Sequence, residues 1–152
     1  TVPVLKKYLK SAGNLFKRSL DHCCISPSSI LLHRSVFERI GLFDESLPAC
    51  EDYDLWIKLT AVFEVSLVNE ALTIKNGGHE DQLSRRFWGM DRFRIQALAN
   101  ILQSSLITEQ QHHWITEALK KKSNVLINGA KKRGNTTLIY QIKRLLEKHE
   151  ID

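Results

Sequence analysis

Three carboxylates stand within four residues at Glu51, Asp52 and Asp54 of a 152-residue chain. Asp44 and Glu45 lie just upstream, and no base separates them from the triplet. Acids at a helix start complement the dipole and satisfy free amide groups, at about 0.3–1 kcal/mol each. One or two would need no other purpose. Five in this stretch exceed that need. Like charges this close are expected to raise one another's affinity for protons, which is how a site makes a carboxylate basic enough to deprotonate a hydroxyl. A second chemical cluster follows in Gly77-Gly78-His79-Glu80-Asp81-Gln82-Leu83-Ser84-Arg85. A single histidine after a strand is commonly a satisfied surface or core residue. Here two glycines permit close backbone approach, and an imidazole with a guanidinium suits a metal-bound diphosphate: one ligates the ion, the other forks onto phosphate oxygens.

The elements that must position these groups are legible in outline. Leu5, Leu9, Ala12, Phe16 and Leu20 recur at helical spacing, interrupted by Gly13 and Asn14. Residues 30–33 form a short apolar run suited to a buried strand. Ser35 and Glu38 match a capping box for a short helix ended by Gly41. Glu51 opens a helix whose Leu55, Leu59 and Phe63, with Trp56 beside them, make one buried stripe. Residues 64–68 and 71–75 read as two strands, ended by Asn76-Gly77-Gly78. Three helices follow, spanning about 88–105, 108–133 and 136–149. Thr108 and Gln111 match a capping box, and Gly134-Asn135 a helix stop. The expected fold class is therefore α/β: residues 1–88 a small mixed sheet with helices, residues 89–152 a helical appendage. Three strands make a marginal sheet, so the sheet is expected to continue in chain not present here.

Ser28-Ser29 with Ile30-Leu31-Leu32-His33-Arg34, then Ile40-Gly41-Leu42-Phe43-Asp44-Glu45, then Glu51-Asp52-Tyr53-Asp54-Leu55-Trp56, then Gly78-His79 with Gln82 and Ser84, resembles the C-terminal half of family 2 glycosyltransferases of the GT-A fold. The four blocks match in order and spacing over about residues 20–90. The resemblance implies an inverting transfer of a sugar from a nucleotide-sugar donor to a glycan or lipid-linked acceptor. It makes Asp52 the catalytic base, with Glu51 and Asp54 orienting the acceptor. It makes His79 a metal or diphosphate contact and implies Mn²⁺ or Mg²⁺ in the complete enzyme. Gln82 and Arg85 partly match the Gln-x-x-Arg-Trp motif of processive members; Arg86 stands where the Trp would, which favours transfer of a single sugar. Trp56 is a candidate sugar-stacking residue, although its place in the apolar stripe suits the core better. The family's nucleotide-binding half, with its Asp-x-Asp motif, does not precede residue 20, so little or no activity is expected of this chain alone.

Composition narrows the remaining classes. Hydrophobic residues make up 43% and charged residues 26% of the chain, which excludes a disordered or fibrous protein. No apolar run approaches the ~20 residues of a membrane span. Three cysteines without a zinc-like spacing predict free thiols and a cytoplasmic location. Residues 1–89 carry 11 basic and 11 acidic side chains, and residues 90–152 carry 11 and 6, so the tail supplies the net charge of +5. Lys120-Lys121-Lys122, Lys131-Lys132-Arg133 and Lys143-Arg144 beside Trp114 and Ile115 suit a solvated helix face or peripheral contact with the inner face of an anionic membrane. Nucleic acid is disfavoured because the acidic centre repels phosphate. An open sheet edge predicts homodimerisation or pairing with the absent nucleotide-binding half. The alternative to an enzyme is a non-catalytic interaction module whose basic helical tail binds a protein, a membrane surface or nucleic acid.

Overall fold

The computed structural model describes residues 10–74, 86, 87 and 89–151. Among these residues the regular elements are helices: α1 (Phe16–Asp21), a 3₁₀ turn (Pro27–Ser29), α2 (Arg34–Ile40), α3 (Glu51–Val62), α4 (Asp91–Leu102), α5 (Glu109–Lys132) and α6 (Thr136–Lys148). The expected α/β architecture with a small mixed sheet, and with it the GT-A fold, is overturned. The described backbone holds a single isolated antiparallel bridge, in which Gly13 and Val65 exchange hydrogen bonds of 2.7 and 3.0 Å.

The physical reason lies in what alternation reports. Residues 30–33 are extended at both ends (Ile30 ψ 144°, His33 ψ 143°) and alternate inward and outward. Ile30 and Leu32 pack on the α2–α3 layer while Leu31 is 96% exposed. An extended segment laid on helices shows the same period of two as a strand. A strand also needs a neighbour to take its amide and carbonyl groups, and no described segment supplies that ladder. Residues 64–74 behave alike: Val65 packs inward, whereas Leu67, Val68, Leu72 and Ile74 are exposed.

The helices follow their local chemistry closely. Thr108 accepts from the Gln111 amide at 3.2 Å and Gln111 Oε1 accepts from the Thr108 amide at 2.8 Å, the reciprocal box expected from spacing. Gln111 Nε2 also donates to Ala61 O at 3.0 Å, tying the start of α5 to the end of α3. Gly134 adopts φ 65° between α5 and α6, where a side chain would be strained, and Asn135 Oδ1 caps α6 through the Leu138 amide. The start of α2 differs from expectation. His33, not Ser35, occupies the cap, and its Nδ1 accepts from the Ser35 amide at 3.3 Å. An imidazole nitrogen serves where the expected hydroxyl box does not form. Gly41, at φ 83°, ends α2 as expected.

Two apolar cores hold these helices. The larger draws Phe16 and Leu20 from α1, Tyr53 and Ile57 from α3, Leu98 from α4, and further residues from α5 and α6. It therefore takes side chains from both sides of residue 88. The smaller gathers Ile40, Leu55, Trp56 and Leu59 under Ile30, Leu32, Phe37 and Val65. Helix α3 contributes to both, so it is buried nearly all round. Leu55, Trp56 and Leu59 lie where the stripe's spacing placed them; Phe63, expected to continue it, falls just past the helix as its extended cap and packs half-buried on the smaller core. Leu59→Ala is expected to cost about 2–5 kcal/mol in denaturant unfolding; a loss below about 1 kcal/mol would show that the smaller core collapses around the gap or does not depend on this side chain.

Candidate functional site

The start of α3 is delivered by a sharp turn. Cys50 caps the helix in the left-handed region at φ 64°, a conformation strained for a residue with a side chain. Its own thiol is buried and lies 3.7 Å from Met90 O, which anchors the turn to the entry of α4. Glu51 and Asp52 then emerge half-buried in the first turn. Asp52 Oδ1 accepts the Tyr53 amide at 2.7 Å, and Asp52 Oδ2 lies 3.5 Å from Cys23 Sγ. Tyr53 points the other way, into the larger core, and its hydroxyl donates to Leu20 O at 2.7 Å, locking α1 against α3.

Near the start of α3 the tertiary fold gathers further charged groups. Arg94 of α4 donates to Asp91 Oδ1 at 3.0 Å, and its guanidinium sits 5.8 Å from the centre of the Tyr53 ring. It lies within electrostatic range of Cys23 and Cys50. Lys122 of α5 donates to Asp21 O at 2.8 Å and feels both Asp91 and Arg94; burial pulls its ammonium below the ordinary lysine value. Lys121 pairs with Asp21 at 3.5 Å across a solvent-exposed gap. The Asp91–Arg94 pair has the i,i+3 spacing of a helix-face ion pair, a signal present in the sequence. Cys23 and Lys122 carry no such signal, since they meet the site from 29 residues upstream and 70 residues downstream of Asp52.

The remaining nominated residues divide clearly. Asp54 is 1% exposed, and its Oδ2 pairs with Lys58 within the helix. Its Oδ1 is buried without a hydrogen-bond partner. Trp56 is 2% exposed in the smaller core, with Phe43 edge-on at 6.4 Å. Neither side chain is open to a ligand in this structure. His79, Gln82 and Arg85 lie outside the described residues. Among the described residues no three His, Cys, Asp or Glu side chains converge as a metal ion requires. His79, the residue expected to contact Mn²⁺ or Mg²⁺, is not among those residues. A separate groove of about 510 Å³ runs between residues 46–48, α4 and α6; α4 turns Arg92 and Gln96 toward it, while Arg94 pairs with Asp91 beside the Tyr53 ring. No helix among the described residues is long and apolar enough to cross a membrane.

No family model matches the chain, and no solved structure matches it. Curated proteins do. The chain is similar in part to uncharacterized glycosyltransferases of Rickettsia. One from Rickettsia felis is 34% identical over 92 residues, covering 60% of this chain and 14% of that protein. One from Rickettsia typhi is 38% identical over 77 residues, covering 51% of this chain and 24% of that protein. The chain thus spans a small part of the length of these relatives.

Asp54 supplies a direct test of the site's electrostatics. Burial pushes its carboxyl above the ordinary value, against the hydrogen bond and charge of Lys58. A carboxyl that holds its proton more tightly when folded costs nothing below its unfolded pKa. It destabilises the fold as pH rises through and above that value. Asp54→Asn keeps the shape and removes the titration. Its melting temperature is expected to gain on the parent's between about pH 4 and about pH 7. A difference that does not change with pH, or that moves in the parent's favour, would show that the Lys58 pair outweighs burial.

Proposed function

We propose that this chain is the acceptor-side, base-bearing portion of an inverting glycosyltransferase of the family 2 type, which moves a sugar from a nucleotide-sugar donor to a glycan or lipid-linked acceptor. The observation that carries this reading is the setting of Asp52. It is the half-buried carboxylate at the mouth of α3 whose two oxygens are held by Tyr53 and Cys23, in a chain similar in part to glycosyltransferases. Asp54, two residues on, is buried and paired, so the acid left to meet a substrate beside Glu51 is Asp52.

The chemistry follows from that placement. An acceptor hydroxyl hydrogen-bonded to Asp52 gives up its proton to the carboxylate as the oxygen attacks the anomeric carbon of the donor sugar. The new bond forms on the face opposite the leaving group, so the anomeric configuration inverts. The bond to the diphosphate breaks, and its electron pair leaves with the nucleoside diphosphate. Glu51, adjacent and half-buried, is placed to hold a second acceptor hydroxyl. A carboxylate retains unused lone pairs after accepting two hydrogen bonds, so the contacts to Tyr53 and Cys23 orient Asp52 without blocking it.

In the active transferase, Asp52→Asn is expected to lower turnover by about two to four orders of magnitude, with an unchanged melting curve and donor affinity. Near-normal turnover in that variant would remove Asp52 from the role.

A further inference from the structure

The environment of Asp52 contains one donor whose proton has two places to go. Helix α1 stops at Asp21, and His22 then takes an extended backbone that swings the chain back over the start of α3. Cys23 lands at the seam between the two cores, packed against both. Its Sγ lies 3.5 Å from Asp52 Oδ2 and 3.1 Å from the carbonyl oxygen of Ile25. A thiol carries one proton, so it serves these two acceptors in turn. The charged acceptor attracts that proton more strongly than the neutral carbonyl while Asp52 is ionised. Once Asp52 takes a proton it loses that advantage, and the Ile25 carbonyl, already nearer, takes over.

We propose that Cys23 is the positioning residue for Asp52: its S–H turns to Asp52 Oδ2 when that carboxylate is ionised and back to Ile25 O when it is protonated. The thiol thereby holds the carboxylate in one rotamer while it awaits a hydroxyl, and releases it as the proton arrives. This role rests on the reading of Asp52 as the base. The thiol itself remains a proton carrier for this purpose and is not consumed. Burial, first, and the adjacent Asp52 charge push it up to about 12, so it stays protonated and is a poor nucleophile across the physiological range. Of the other charged groups, Arg94 on α4 acts on this thiol, and Arg94, Glu51 and Asp91 act with Asp52 on the neighbouring Cys50 thiol that caps α3. Arg94 opposes Asp52 at the thiol, since its positive charge favours thiolate.

The S–H stretch of a thiol falls in an infrared window nearly free of other protein bands and reports the acceptor it faces. The 152-residue chain with Cys24→Ser and Cys50→Ala retains Cys23 as its single thiol. Its S–H band is expected to shift between two positions as pH is taken through the carboxylate range. With Asp52→Asn added, it is expected to stay at the carbonyl-bonded position throughout. In the same background Asp52→Asn is expected to speed alkylation of Cys23 by about threefold or more, because the charge that suppressed the thiolate is gone. A band and an alkylation rate that ignore Asp52→Asn would overturn the proposal and leave the base assignment standing. In the active transferase, Cys23→Ala is expected to lower kcat by about tenfold or more with little change in KM, and Cys23→Ser to restore it, since a hydroxyl donates equally well. Loss in both variants would mean that Cys23 matters only for packing, which also overturns it. Full turnover by Asp52→Asn would instead remove the base, and with it the role assigned to Cys23.

Discussion

Burial of α3 on two opposite faces is the constraint on which the rest of the protein depends. Tyr53 and Ile57 enter one core, and Leu55, Trp56 and Leu59 enter the other. A helix with apolar contacts on both sides cannot slide or rotate without breaking one set, because close-packed interiors do not deform continuously. Its polar positions are limited accordingly. Asp54 and Thr60, though buried, are handled locally: Asp54 pairs with Lys58, and Thr60 returns its hydroxyl to Trp56 O at 2.7 Å. The first turn, with Glu51 and Asp52, is left to face outward. The same packing that buries the helix thus fixes where its acids emerge.

Three helix ends meet there. The end of α1 brings Asp21 and Cys23, the start of α4 brings Asp91 and Arg94, and α5 passes alongside with Lys121 and Lys122. Asp91 pairs with Arg94, Asp21 with Lys121, and Lys122 donates to a backbone carbonyl. Half-buried charges gain from one another in a medium less screening than water, but only if each is paired. The result is a balanced polar seam rather than a one-sided field. A substrate meeting it would encounter a carboxylate whose orientation is set before binding, and pre-set geometry removes part of the ordering cost of a reaction.

Helix boundaries were readable because caps act over three or four residues. Thr108 with Gln111, Gly41 and Gly134 all serve as their spacing implied. At α2 the cap moved to His33, since an imidazole nitrogen accepted the amide that a serine hydroxyl was expected to take. Strand assignments were less secure for a physical reason. Alternation along residues 30–33 correctly marked which side chains face inward, and along 64–68 it did so for Val65 but not for Leu67; a sheet is a pairing between distant segments, and nothing local encodes whether the partner is there. Among the nominated residues, spacing could separate Asp52 from Asp54 only by motif. Their opposite fates, one half-buried at the helix mouth and one 1% exposed, come from which face of α3 meets a core.

The sequence by itself determined the helices, most of their caps, the apolar stripe of α3 and the dense acids at its start, because these depend on neighbours within a turn or two. Tertiary structure alone decided that the extended segments stay without a ladder. It decided that Asp54 is sealed while Asp52 is available, and that Cys23 reaches Asp52 from beyond the end of α1. Those outcomes depend on contacts between residues tens of positions apart, whose geometry is set by how two cores close around one helix.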